Sequence, residues 1–204
     1  MPQGNSKTKL YNANLVKASL KVPESRIVAG LLLDNVSPNE WHRAIVVDNV
    51  LQKRSSYTAQ TFANFIAGRL RTLDEDALML IRDGSNEVAT QTVLSGSIRY
   101  SRLLGDFLVD VVRDRRRRFQ ASITNLDWSE FIEDCKARDV SVDGWTEGVI
   151  DKLRQNVFRI AAEAGYVTDT KTMTLQNMVV VSEVVDLLTR FGDFETLRTM
   201  RATE

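Results

Sequence analysis

Apolar residues recur at intervals of three and four along most of this chain, the period that places side chains on one face of an α-helix. In "SPNEWHRAIVVDNVLQ" they are Trp41, Ala44, Ile45 and Val47. Ser37 stands as the N-cap, Pro38 at the first helical position and Glu40 three residues after the cap. That is a capping box, with a proline where its missing N–H costs nothing. The polar "QKRSSY" interrupts the pattern, and a second helix is predicted from near Thr58, buried through Phe62, Phe65, Ile66, Leu70 and Leu73. Helix, short polar turn, helix is the outline of a helix-turn-helix. "EVATQTVLSGSIRYSRLLGDFLVDVVRDRRRRF" then predicts one or two long helices ending in a cluster of arginines.

The pattern changes around "QASITNLDW", which places a domain boundary near Thr124 and divides residues 1–124 from 125–204. Asp127 and Glu130 mark the start of the next helix, and "VSVDGW" is a turn. "TEGVIDKLRQNVFRIAAEAG" predicts a helix closed by Gly165, with Val149, Leu153, Val157, Ile160 and Ala164 inward. "YVTDTKTMTLQNMVVV" is β-branched with a polar centre, which suits a small hairpin. Helix, turn, helix, hairpin is the order of a winged helix, and "SEVVDLLTRF" and "FETLRTM" end the chain helically. The expected fold class is all-α: a helical bundle with a helix-turn-helix and a small β-hairpin wing added in the C-terminal part.

Composition adds limits. With 43% hydrophobic and 26% charged residues in 204, the chain can bury an apolar core without disulfide or metal staples. Cys135 is the only cysteine, which excludes an internal disulfide and a Cys-based metal site and fits a reducing, cytoplasmic setting. The longest apolar run, Ile27 to Leu33, falls far short of the roughly 20 residues that cross a bilayer. The N-terminal "MPQGNSKTKL" is polar and basic, without the apolar centre of a signal peptide. No membrane partner is expected.

The formal charge is zero, 27 basic against 27 acidic side chains, yet the charges are segregated. Met1 to Arg26 holds five basic residues and one acid, whereas Asp127 to Asp151 holds eight acids and two bases. Parts of the surface can therefore attract polyanions although the whole is neutral.

Enzyme signatures are sparse. No G-x-x-x-x-G-K-[ST] loop and no G-x-G occurs, and His42 is the only histidine. Asp74, Glu75 and Asp76 cluster at a helix start, where acids complement the helix dipole more often than they bind a cation. Asp127, Asp134 and Lys136 loosely match a nuclease triad but fall on a helix, and such sites need strands to place the carboxylates. A non-enzyme without cofactor or metal is expected.

Binding features are clearer. The predicted second helix carries Thr58, Gln60, Thr61, Asn64 and Arg71 away from its apolar face, with Lys53 and Arg54 in the turn before it. Short polar donors at a helix N-terminus can meet phosphate, and Gln or Asn can read adenine edges. An ordinary solvated face has the same composition. Arg113, Arg115, Arg116, Arg117 and Arg118 crowd six positions at a helix end. One or two cations would satisfy the dipole there, and five repel one another, so a phosphate-bearing partner would relieve them. In the second unit Lys152, Gln155, Asn156 and Arg159 are expected outward, and Lys171 at the tip of the wing.

"YNANLVKASLKVPESRIVAGLLLDN", "EWHRAIVVDNVLQKRSSYTAQTFANFIAGRLRTL" and "YSRLLGDFLVDVV" together resemble the BrxA family of BREX bacteriophage-exclusion systems, a likeness spanning about residues 10 to 190. The resemblance implies a small helical cytoplasmic accessory protein encoded beside a DNA methyltransferase and an ATPase, binding double-stranded DNA through helix-turn-helix modules. It transfers no individual contact residue. An inner-membrane label attached to such proteins does not fit this sequence, which lacks a spanning segment.

The expected function is non-catalytic binding of double-stranded DNA within a phage-defence complex, with the basic N-terminal tail and the arginines on phosphate. The alternative is a docking module that uses the segregated charges to bind other defence proteins without DNA, and a nuclease is third.

Overall fold

The capping box at Ser37 forms in the computed structural model, which describes residues 9–204. The Ser37 Oγ accepts from the Glu40 N–H at 3.3 Å, and Glu40 Oε2 accepts from the Ser37 N–H at 2.7 Å. The N-terminal part of the basic tail, including Lys7, lies outside the described residues.

Helix α1 spans Val22–Leu33, and α2 spans Pro38–His42 and continues as a π-helical turn over Arg43–Val47. After an irregular turn, α3 covers Ser56–Leu70, with the Ser55 hydroxyl accepting from the Thr58 N–H. Helices α4 (Glu75–Asp83) and α5 (Asn86–Tyr100) follow. Ser101 is extended and breaks the long helical stretch in two. Beyond it α6 (Arg102–Phe107) runs through a π-helical segment, Leu108–Arg113, into α7 (Asp114–Arg117). Helix α8 is Asn125–Arg138, α9 Glu147–Glu163, α10 Ser182–Arg190 and α11 Phe194–Met200. The protein is predominantly helical.

Helix α1 packs against α3, α4 and α5, and α10 and α11 close over α5. The buried hydrophobic cluster continues across residue 124. Phe107 of α6 meets Trp128 and Phe131 of α8 and Phe158 of α9, with ring centroids 5.6–6.0 Å apart.

Residues 9–21 form a strap that ties these parts together. The amides of Leu10 and Tyr11 donate to Asp139 Oδ2 at 2.7 and 3.0 Å, beyond the end of α8. Glu163, the last residue of α9, accepts from Ser19 Oγ and the Leu20 N–H, both at 2.9 Å. From the other side, the fully buried Arg69 of α3 donates to the carbonyls of Ser19 and Leu20 and to Ser25 Oγ. Asn156 corrects the sequence reading: expected outward, it is buried, and its Nδ2 donates to the Leu15 carbonyl at 2.6 Å. The strap supplies an acceptor that periodicity along α9 does not reveal.

Two further expectations shift. The N-cap of α8 is Thr124, with Asp127 closing a capping box three residues on, rather than Asp127 with Glu130. In place of a two-stranded wing, the strand pairing among the described residues consists of two isolated antiparallel bridges, Val167 with Leu175 and Ser122 with Thr174. The cause is local. Asp169 Oδ1 accepts from the amides of Lys171 and Thr172 at 2.6 and 2.8 Å, curling the tip into a compact turn. Beyond Leu175, Met178 and Val180 sink into the core instead of pairing.

Candidate nucleic-acid interface

Five arginines at the end of α7 share a sequence neighbourhood but not a role. Arg113 is half-buried and its Nη2 donates to the Arg198 carbonyl of α11. Burial lowers its pKa, helped by the positive charges of Arg117 and Arg198. Arg115 makes an ion pair with Asp127, a buried carboxylate in the first turn of α8. Arg118 pairs with Asp114 one turn back at 2.9 Å, in the open. Arg116 and Arg117 are exposed and, among the described residues, have no carboxylate partner within ion-pair distance. The cleft beside them is mixed in sign: Arg115, Arg117 and Arg118 line it together with Glu130 and Asp134 of α8.

Backbone pairing carries this helix end to the 166–176 turn. The Leu175 N–H donates to the Ala121 carbonyl at 2.9 Å, and the Ile123 N–H to the Met173 carbonyl at 3.1 Å. Residues 119–123 are thereby held against the segment whose tip exposes Lys171. Lys171 and Thr172 line a cleft with Thr124, Asn125 and Arg154. Arg154 was not among the sequence candidates. It donates to Asn125 Oδ1 at 2.6 Å and lies 3.4 Å from Asp151, an i,i+3 pair that is its one sequence signal. Lys152, Gln155 and Arg159 stand exposed on α9.

The α3 candidates form a second set. Gln60, Asn64 and Arg71 are exposed, whereas Thr61 is half-buried. Asn64 and Arg71 border a groove floored by Leu31, Leu32 and Trp41. Thr58 Oγ1 shares a 2.9 Å hydrogen bond with Ser55 Oγ, so it serves the start of the helix. Arg54 is exposed, but Lys53 is engaged: its Nζ lies 2.7 Å from Glu24 Oε1 and 5.1 Å from the Phe62 ring centre. Burial opposes ionisation of Glu24, yet the Lys53 hydrogen bond and charge outweigh it and hold that carboxyl below its ordinary pKa.

Among the described residues no group of three or more potential metal ligands assembles. Among these residues no helix is long and apolar enough to cross a membrane either.

A family profile described as BrxA matches residues 9–192. A protein named BREX protein BrxA from Paramagnetospirillum magneticum (strain ATCC 700264 / AMB-1) is 39% identical over 193 residues, covering 95% of this chain and 97% of its own. One of the same name from Escherichia coli O9:H4 (strain HS) is 33% identical over 184 residues, covering 90% and 86%. A crystal structure of an uncharacterized protein from Magnetospirillum magneticum superposes with a TM-score of 0.86 at 38% identity, covering 94% of this chain and 98% of that one.

Proposed function

We propose, for a chain that belongs to the BrxA family and so points to a component of BREX phage defence, that it binds double-stranded DNA as a non-catalytic accessory protein. The observation that carries this reading is the pair Arg116 and Arg117, exposed and without carboxylate partners, on a helix end held by backbone bonds against the segment bearing Lys171. Guanidinium groups left without an internal anion favour forked contact with phosphate.

In this reading the unit beginning near Thr124 acts as a winged helix, with α9 presenting Lys152, Gln155 and Arg159 and the Asp169–Thr172 turn as a reduced wing. Helices α2 and α3 act as a helix-turn-helix that offers Arg54, Gln60, Asn64 and Arg71. The setting is the cytoplasm, with the methyltransferase and ATPase of the system as protein partners.

The test is fluorescence anisotropy with a short random-sequence duplex over a range of salt. Binding should weaken steeply with salt, and each phosphate contact removed by Arg116→Ala or Arg117→Ala should flatten the log–log slope by about 0.9. Slopes unchanged by both substitutions would move the contact elsewhere.

The mixed-sign cleft between α7 and α8 favours a second reading, docking of a defence protein through Glu130, Asp134 and the arginines together. It predicts a complex that forms without DNA, survives loss of Arg116, which does not line the cleft, and weakens on Glu130→Ala or Asp134→Ala.

A further inference from the structure

Helix α7 ends on a glycine's backbone without a glycine. The Phe119 N–H donates to the Arg116 carbonyl and the Gln120 N–H to the Arg115 carbonyl, each at 3.0 Å. This pair of bonds is the Schellman stop, and it requires the residue after the cap to turn left-handed, where glycine or asparagine is favoured. Three other helices end on the same pair of bonds. They place Asn35, Gly165 and Gly192 at the left-handed position, with φ of 47°, 85° and 70°. In α7 that residue is Phe119, with φ of 56°.

The ring receives nothing in return from the fold, since Phe119 is 96% exposed. A bulky aromatic is thus strained in its backbone and solvated in its side chain. Where local rules are broken without internal compensation, function is the usual reason. Its neighbours define the ligand chemistry. Arg116 and Arg117 precede it with no carboxylate partner among the described residues. The hydrogen bonds of Ala121 and Ile123 to Leu175 and Met173 anchor the chain directly after it. An apolar ring projecting from an arginine-rich, anchored turn matches the wedge by which proteins unstack a base step while cations hold the flanking phosphates.

We propose that Phe119 inserts between neighbouring base pairs of bound duplex DNA and bends it where Arg116 and Arg117 hold the backbone. The inference rests on the DNA-binding reading above and names the action of that same surface. Contact with phosphate alone would leave the duplex straight, whereas insertion opens the stack and kinks it.

The experiment uses the whole chain and a 30-base-pair random duplex carrying a donor and an acceptor dye at its two ends. Anisotropy reads binding and energy transfer reads bending. Phe119→Gly is the decisive variant because glycine suits the left-handed stop, so its melting temperature should equal or exceed that of the wild type. Wild-type protein should raise energy transfer. Phe119→Gly should bind about tenfold more weakly, the scale of one lost base–aromatic contact, without raising transfer. Phe119→Trp should restore both. If wild-type protein binds and transfer does not change, or if Phe119→Gly bends the duplex equally, insertion is overturned and the DNA-binding reading stands. If wild-type protein fails to bind the duplex even at low salt, the DNA-binding reading falls and the insertion with it.

Discussion

Arg115 reaches from α7 to the carboxylate of Asp127 in the first turn of α8, and that contact divides the arginine cluster into residues that hold the fold and residues that are free. Asp127 also accepts from the Thr124 N–H and hydroxyl at 2.7 and 2.8 Å, so the same carboxylate caps α8 and anchors α7. Arg115→Ala would leave this buried charge with the cap alone and should cost about 1–3 kcal/mol in urea denaturation. Arg116→Ala and Arg117→Ala, which remove exposed side chains, should stay within about 0.5 kcal/mol of wild type. Equal losses for Arg115 and Arg116 would show that the ion pair adds nothing to stability.

Arg69 carries a guanidinium into the core. Its guanidinium is fully buried and binds the carbonyls of Ser19 and Leu20, not a carboxylate. Arg69→Met keeps much of the bulk but strands the Ser19 carbonyl and leaves the Leu20 carbonyl with the Ser25 hydroxyl as its one side-chain donor. The expected loss is about 2–5 kcal/mol, read as a lower denaturation midpoint at unchanged m-value. A neutral result would mean that water or a shifted strap satisfies those carbonyls.

The strap should respond to acid. Amide donation from Tyr11, joined by Ser141 and Leu10, stabilises the Asp139 carboxylate and depresses its pKa to about 2. A carboxyl group depressed in the folded state contributes fully above its ordinary value near 3.8 and loses that contribution as pH falls toward about 2. Hydrogen exchange at the Leu10 and Tyr11 amides, corrected for intrinsic rates, should be protected at pH 5 and lose protection toward pH 2. Asp139→Ala should abolish that protection at pH 7. Equal protection in the variant would detach the strap from this carboxylate.

Cys135 should act as a silent reporter of unfolding. It is fully buried in α8, and burial pushes its thiol up to about 12. Thiolate is the reactive form, so an aromatic disulfide reagent at pH 8 should label native protein only at the rate at which the protein opens. Added urea should accelerate labelling in step with unfolding. Rapid labelling of the native protein would place the thiol within reach of solvent.

Local chemistry was legible where it is decided within a few residues. The capping box of Ser37 and Glu40, the glycine stop at Gly165 and the apolar part of the inward face of α9, though not Asn156, follow from adjacent sequence, because caps and helical faces depend on spacing along one chain. The α8 cap is ambiguous in sequence because Thr124, Asp127 and Glu130 share the same three-residue spacing, and the fold selects Thr124. β-Branched composition marks "YVTDTKTMTLQNMVVV" as extended but does not say how much of it the Asp169 turn and the core will take.

The candidate site divides in the same way. The helical period, the Ser37 cap and the Gly165 stop are set by the sequence alone, as is the crowding of cations at one helix end. Tertiary structure alone decided which cations are spent internally. Asp127 takes Arg115, the Arg198 carbonyl takes Arg113, and Glu24 takes Lys53. The contact of Lys53 with Glu24 spans 29 positions, and that of Arg113 with the Arg198 carbonyl spans 85. A helix pattern records a period of three to four residues and therefore carries no information about partners so far away. Whether a charge stays free depends on packing, because only packing brings a distant carboxylate or carbonyl within hydrogen-bonding reach.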